Sequence, residues 1–224
     1  MNASTTGWRP GPVPGAIAPA RRAQSRPMES SGPPSGDEEL MLAFGRGDVR
    51  AFEMLYDRHE RGLFRFIVRC VGRQAGNGVA EELFQDTWFA VTREAARYRP
   101  QARFATWLYT IARSRVVDYV RRSRSRGGTP ASIDDEAHAD LAQALAADAR
   151  GEPLARVEDR ARATAFMAAV DALPDEQRAA FLLQVEAGLS VEEIGAATGV
   201  GAETAKSRLR YARAKLRQAL AHWR

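Results

Sequence analysis

The stretch "SVEEIGAATGVGAETAKSRLRYARAKLRQAL", residues 190–220, decides how this chain is read. Ser190 followed by Glu193 forms a capping box: the hydroxyl takes the amide of the third helical residue and the carboxylate reaches back to the cap. The short helix that follows directs Ile194 and Ala197 inward and runs to Gly199, a position suited to a left-handed turn residue. Val200 fills the turn, and a second helix starts near Ala202. Two helices across a tight glycine turn make a helix-turn-helix, whose second helix enters the major groove of DNA.

Projected at about 100° per residue, that second helix sorts its side chains cleanly. Ala205, Leu209, Ala212, Leu216 and Leu220 form one apolar stripe. Lys206, Arg210, Arg213 and Arg217 line one flank of the stripe, and Arg208 and Lys215 line the other. Glu203, Ser207, Tyr211 and Ala214 lie between the flanks, away from the core. Cations on both flanks suit the two phosphate ridges of a groove, and short side chains between them allow approach to base edges. A solvated charged helix is the plain alternative, but seven cations against the single acid Glu203 from residue 203 to the end favour DNA.

Outward from this motif the chain is helical wherever it is periodic. "LARVEDRARATAFMAAVDALP" is a helix broken at Leu173-Pro174, and "DEQRAAFLLQVEAGL" is a second helix leading into the capping box. Residues 127–153 carry Gly-Gly, a Thr-Pro step and six acids against the one base Arg150. That composition predicts a flexible acidic linker with one marginal helix around 139–148. Between Asp37 and Arg126 four helices are expected. They are "DEELMLAFGRGD" with Asp37 as N-cap, "AFEMLYDRHERGLFRFIVRCV", "GVAEELFQDTWFAVTREAARY" and "FATWLYTIARSRVVDYVRRSRSR". Val79, Leu83, Thr87 and Ala90 fall on the inward stripe of the third, and Phe104, Trp107, Leu108 and Ile111 on that of the fourth.

The predicted fold is all-α: an N-terminal helical bundle and a C-terminal helix-turn-helix bundle joined by a flexible acidic linker. Residues 1–36, rich in Pro, Gly, Ser and Ala with no acid before Glu29, are expected to be a disordered tail. No apolar run approaches the ~18–20 residues that span a bilayer. The single cysteine, Cys70, lies within "LFRFIVRCV" and reads as a small buried hydrophobe; it excludes an internal disulfide and a Cys-rich metal site. A reducing, cytoplasmic setting is expected, with no cofactor and no metal. His59, between Arg58 and Glu60, reads as a packing or surface residue.

The first bundle adds a second cationic surface. From Arg93 to Arg126 there are ten arginines against Glu94 and Asp118, interleaved with Tyr98, Phe104, Trp107, Tyr109 and Tyr119. Cations that track a backbone beside flat side chains suit single-stranded or locally melted DNA. Phe104 and Trp107 read as core. Tyr98 and Arg99 in the "RYRPQARF" loop, with Arg113, Arg115, Arg121 and Arg122, are the better nucleic-acid candidates. Two DNA-contacting surfaces on one tether imply two DNA elements at a defined spacing.

At this point the sequence resembles a known family. "AEELFQDTWFAV" (80–91), "FATWLYTIARSRVVDYVRR" (104–122) and "LPDEQRAAFLLQVEAGLSVEEIGAATGV…TAKSRLRYARAKLR" (173–217) are similar to the extracytoplasmic-function sigma factors of bacterial RNA polymerase. The resemblance implies sigma region 2 at 37–126 for core polymerase binding and −10 recognition and melting. It implies sigma region 4 at 154–224 for −35 recognition. Implied partners are the polymerase core (clamp helices of the largest subunit, flap of the second subunit), promoter DNA and an anti-sigma factor. The resemblance places Leu83, Gln85, Asp86 and Thr87 at the polymerase interface. It places Tyr98, Arg99, Arg103, Trp107, Arg113, Ser114, Arg115, Asp118, Arg121 and Arg122 at the −10 element. At the −35 element it places Glu203, Thr204, Lys206, Ser207, Arg208, Arg210, Arg213 and Arg217.

The chain departs from the family pattern in places. Ser114 stands where many relatives carry Asn, and Ala202, Glu203 and Ala205 replace the more usual valine, glycine and valine. Glu203 in the groove could accept from a cytosine amine. A stand-alone helix-turn-helix repressor or activator is the alternative reading, but it leaves the arginines and the "LFQDTW" helix of the first bundle unused. An enzyme is disfavoured: there is no GxxxxGK[ST] loop, no HExxH, and only three histidines, His59, His138 and His222, far apart.

Overall fold

In the first bundle the helix starts are fixed by small polar residues. Asp48 accepts from the amides of Arg50 (3.0 Å) and Ala51 (3.4 Å) and so caps the second helix. The first helix is capped by the backbone of Gly36. Asp37, expected as its N-cap, is instead the first helical residue, and its carboxylate turns to Arg58 Nη1 (2.8 Å) and His59 Nε2 (2.7 Å). Those hydrogen bonds and charges outweigh burial, which alone would raise the Asp37 pKa, and hold it below the usual value. His59 is a packing residue, half-buried against the Phe104 ring (5.3 Å between centroids).

The computed structural model describes residues 36–72, 77–125 and 153–221. Eight α-helices are described: α1 (Asp37–Gly45), α2 (Val49–Val71), α3 (Asn77–Glu94), α4 (Phe104–Ser125), α5 (Pro153–Asp171), α6 (Asp175–Ala187), α7 (Val191–Thr198) and α8 (Ala202–Ala219). A 3₁₀ turn, Ala95–Arg97, follows α3. The expected tail and the linker with its marginal helix lie outside the described residues.

Helix α2 is central, packing on α1, α3 and α4 and also on α6 of the second bundle. Helix α4 packs on α6 and α7 as well as on its own bundle, and α6 and α7 both pack on α8. Leu55, Phe66, Ile67, Leu108 and Tyr109 belong to the same buried cluster as Leu182, Leu183, Ile194 and Leu209. The two bundles therefore share one continuous core in this conformation, which the reading of two tethered surfaces did not anticipate.

One glycine shows how close the approach is. A Cβ on Gly62 of α2 would lie 2.9 Å from the Tyr109 hydroxyl and 3.1 Å from the Glu186 carbonyl oxygen of α6. The Tyr109 hydroxyl donates to that same carbonyl at 3.3 Å. Gly62 sits mid-helix, where glycine is costly, because the second bundle's backbone needs the space.

Candidate nucleic-acid interface

The helix-turn-helix forms as its sequence dictates. Ser190 Oγ accepts from the Glu193 amide (3.2 Å) and Glu193 Oε2 accepts from the Ser190 amide (2.8 Å), completing the capping box. Gly199 adopts φ 68°, ψ 32°, a left-handed conformation that costs glycine nothing. Helix α8 then buries Ala205, Leu209, Ala212 and Leu216, with Leu220 half-buried at its C-cap.

On the opposite side of α8, Glu203, Thr204, Lys206, Arg210, Arg213, Lys215 and Arg217 are exposed and Ser207 is half-buried. The Arg210 guanidinium lies 5.0 Å from the Tyr211 ring centroid, and Arg213 donates to Gln184 Oε1 at 2.7 Å. Glu203 is 89% exposed, with Lys206 Nζ 3.8 Å away. Arg208 is the exception: it turns back to Glu176 Oε2 at 2.9 Å. Lys206, Arg210 and Arg217 on one flank and Lys215 on the other are therefore open to phosphates, while Arg213 and Arg208 are engaged within the molecule.

The second surface centres on the loop between the 3₁₀ turn and α4. Arg97, Arg99, Gln101, Trp107 and Thr110 line a cleft of about 470 Å³, with Ala196 of α7 at its edge. Arg99, Arg103, Ser114, Arg121 and Arg122 are exposed, and Trp107, Arg113, Arg115 and Asp118 are half-buried. Asp118 lies 3.5 Å from Arg121, so it orients an arginine as well as facing solvent. Tyr98 departs from expectation: it is only 5% exposed, packed between Phe104 and Trp107, with ring centroids 6.3 and 5.1 Å away. Burial, with Glu38 and Asp37 nearby, pushes its phenol up to about 12. Tyr98 is thus a wall of the cleft; Trp107, read from periodicity as core, is the aromatic only half withdrawn.

On α3 the structure separates the residues carried over from the family. Gln85 and Asp86 are exposed. Leu83 and Thr87 are buried, and the Thr87 hydroxyl donates to the Leu83 carbonyl at 2.7 Å. At i, i+4 on the apolar stripe they set the pitch of the helix against the core, so of the four residues expected at the polymerase interface Gln85 and Asp86 are the ones that face outward. Sequence reasoning missed Phe89, 70% exposed and one turn beyond Gln85 on the outward face. Its i+4 spacing from Gln85 is the signal that could have found it.

Comparison with known proteins bears on the family and the fold. The Sigma-70 region 2 model matches residues 55–126, and the Sigma-70, region 4 model matches residues 163–216. The ECF RNA polymerase sigma factor SigE of Mycolicibacterium smegmatis is 32% identical over 194 residues, 87% of this chain and 71% of that protein. The RNA polymerase sigma factor CarQ of Myxococcus xanthus is 35% identical over 181 residues, 80% of this chain and 95% of its own length.

The fold is similar to that of CnrH in complex with the cytosolic domain of CnrY (TM-score 0.56, 24% identity, 83% of this chain and 97% of that one). It is also similar to the sigma factor RpoE bound to the anti-sigma factor NepR from Bartonella quintana (TM-score 0.54, 22% identity, 76% and 96%). The chain belongs to the extracytoplasmic-function sigma factors of the sigma-70 family.

Proposed function

We propose that the chain supplies promoter specificity to core RNA polymerase through three separate faces, with α8 reading the −35 element. Its exposed Lys206, Arg210, Arg213 and Arg217 hold the phosphates, and Glu203, Thr204 and Ser207 meet base edges. The observation that carries this is the partition of α8, apolar residues buried along one stripe and cations exposed along the flank.

The cleft at 97–110 and the arginines of α4 take the −10 element. A base leaving the stack would find Trp107 beside it, with Arg99, Arg103, Arg113 and Arg115 along the strand and Arg121 and Arg122 beyond. Ser114, exposed on the same helix, tunes base preference. The outward face of α3, Gln85, Asp86 and Phe89, docks on the clamp helices of the largest polymerase subunit, and the second bundle meets the flap of the second subunit. An anti-sigma partner is consistent with the complexes in which the two similar structures occur. The phosphoryl-transfer chemistry belongs to polymerase.

The test is run-off transcription with purified chain, bacterial core polymerase and the DNA upstream of the protein's own gene. Transcription that requires both protein components, from a start site preceded by two elements, is the expected result. Absence of transcription with tight operator binding by the chain alone would favour the repressor or activator reading.

A further inference from the structure

Acids of the second bundle sit on two of the arginines that the −10 element would use, Arg103 and Arg113, and on Arg124 at the end of the same helix. Arg103 Nη1 lies 3.4 Å from Glu193 Oε2, and the Thr106 hydroxyl donates to Glu193 Oε1 at 2.9 Å. Arg113 Nη2 lies 3.3 Å from both oxygens of Glu176, and Arg124 Nη2 is 2.6 Å from Asp175 Oδ2. Ala196 of α7 closes one edge of the cleft. Glu176 holds Arg208 of the recognition helix at the same time, so one carboxylate occupies a cation from each proposed DNA surface.

Carboxylates spaced along a helix and paired with arginines offer those arginines the charge that phosphates would. We infer that Asp175, Glu176 and Glu193 form an ionic latch in which the second bundle imitates the DNA backbone and occupies Arg103 and Arg113 of the −10 surface, with Arg124 beside them, until the bundles part. This rests on the assignment of the −10 surface above.

The pairs are mostly exposed and individually weak. Around them the bundles are held by a tighter set: Glu186, whose side chain is 7% exposed, accepts from Arg65 Nε at 2.8 Å, and Arg178 donates to the Cys70 carbonyl at 3.4 Å. Apparent affinity for DNA falls by the fraction of molecules that are open, so a tenfold masking corresponds to about nine closed molecules for each open one.

Cys70 gives the latch a built-in reporter. It is the only cysteine in the chain, is 8% exposed, and lines a cavity of about 250 Å³ between α2, α4 and α6 together with Val116, Glu176 and Ala179. Burial pushes its thiol up to about 12, so alkylation is slow while the bundles are together.

The experiment compares the wild-type full chain, Gly62→Leu, and the double variant Glu176→Gln, Glu193→Gln. Gly62→Leu wedges α2 from the Glu186 carbonyl without touching a proposed DNA or polymerase contact. The double variant removes two latch charges and keeps side-chain size. Cys70 alkylation is timed, and binding of a labelled mixed-sequence single-stranded DNA is measured without polymerase. Both variants should alkylate and bind DNA roughly tenfold more readily than wild type, and wild-type alkylation should quicken with salt.

Unchanged alkylation in the double variant, in which glutamine at 193 still serves the capping box, overturns the latch. Faster alkylation with no gain in DNA binding overturns the masking. Run-off activity separates the two readings: a failed latch leaves all three proteins equally active with core polymerase, whereas a failed sigma assignment leaves all three inactive.

Discussion

The two proposed DNA surfaces share one chemistry and meet opposite fates in this conformation. On α8, Lys206, Arg210 and Arg217 project to solvent, while on α4 and the loop before it Arg103 and Arg113 lie against carboxylates of the other bundle. Charge alone therefore does not define an available site; what counts is whether an intramolecular acid already holds the charge. The proposed −35 surface is largely ready, whereas two arginines of the proposed −10 surface, Arg103 and Arg113, have first to be released. That order suits a protein whose second contact melts DNA and is useful only once polymerase is present.

The strongest way to break this comparison is to loosen the joint between the bundles. Arg178 is buried and donates to the carbonyls of Asp171 (2.9 Å), Leu173 (3.3 Å) and Cys70 (3.4 Å) and to Asp175 Oδ1 (2.8 Å). Arg178→Ala leaves three carbonyls short of a donor and should cost about 2–4 kcal/mol in urea unfolding, with Cys70 alkylation rising in parallel. A loss under 1 kcal/mol would show that the shared core, and not this arginine, joins the bundles.

Smaller in effect and sharper in specificity is Glu203→Gln. Glutamine pairs with adenine where glutamate accepts from cytosine, so a selection from randomised −35 DNA should move one position from cytosine to adenine by about tenfold. An unchanged −35 consensus would assign Glu203 to solvent.

The capping box comes next. Ser190→Ala removes the hydroxyl that accepts from the Glu193 amide and should cost about 1 kcal/mol, read by thermal unfolding.

The pH effect is the smallest. Burial raises the Glu193 pKa, but the Ser190 amide, Thr106 and Arg103 together hold it below the ordinary 4.5. A depressed carboxylate stabilises above its unfolded pKa and loses that contribution as pH falls through its folded one. Because two of those three partners belong to the first bundle, solution scattering should show the chain expanding below the ordinary carboxylate range. Glu193→Gln should flatten that response.

The helix-turn-helix was legible because its signals are local. Ser190 with Glu193, Gly199 and the apolar stripe of α8 each depend on residues within a turn or two, and each is where the sequence placed it. The first helix start was misread by one residue because Asp37 has better partners in Arg58 and His59 than the helix amides.

The stripe through Leu83 and Thr87 follows from periodicity and both are buried, whereas the polymerase contact that the family resemblance implies there depends on a partner and leaves no periodic signal. Packing of the bundles on each other left almost no mark in the sequence. Arg113 and Glu176 lie 63 residues apart, and neither propensity nor periodicity links them. Gly62 was the one trace, a glycine inside a strongly amphipathic helix, and its meaning appears only when the Glu186 carbonyl is beside it.

The most direct measurement of the central claim is footprinting of the reconstituted holoenzyme on its own promoter, with permanganate reporting melted thymines and DNase reporting −35 protection. Two variants are compared with wild type: Arg113→Ala with Arg115→Ala, and Arg210→Ala with Arg213→Ala. The account predicts that the first loses melting and keeps −35 protection, and that the second weakens −35 protection first. Loss of both signals together in either variant, or of neither, would contradict the assignment of the two surfaces to two promoter elements.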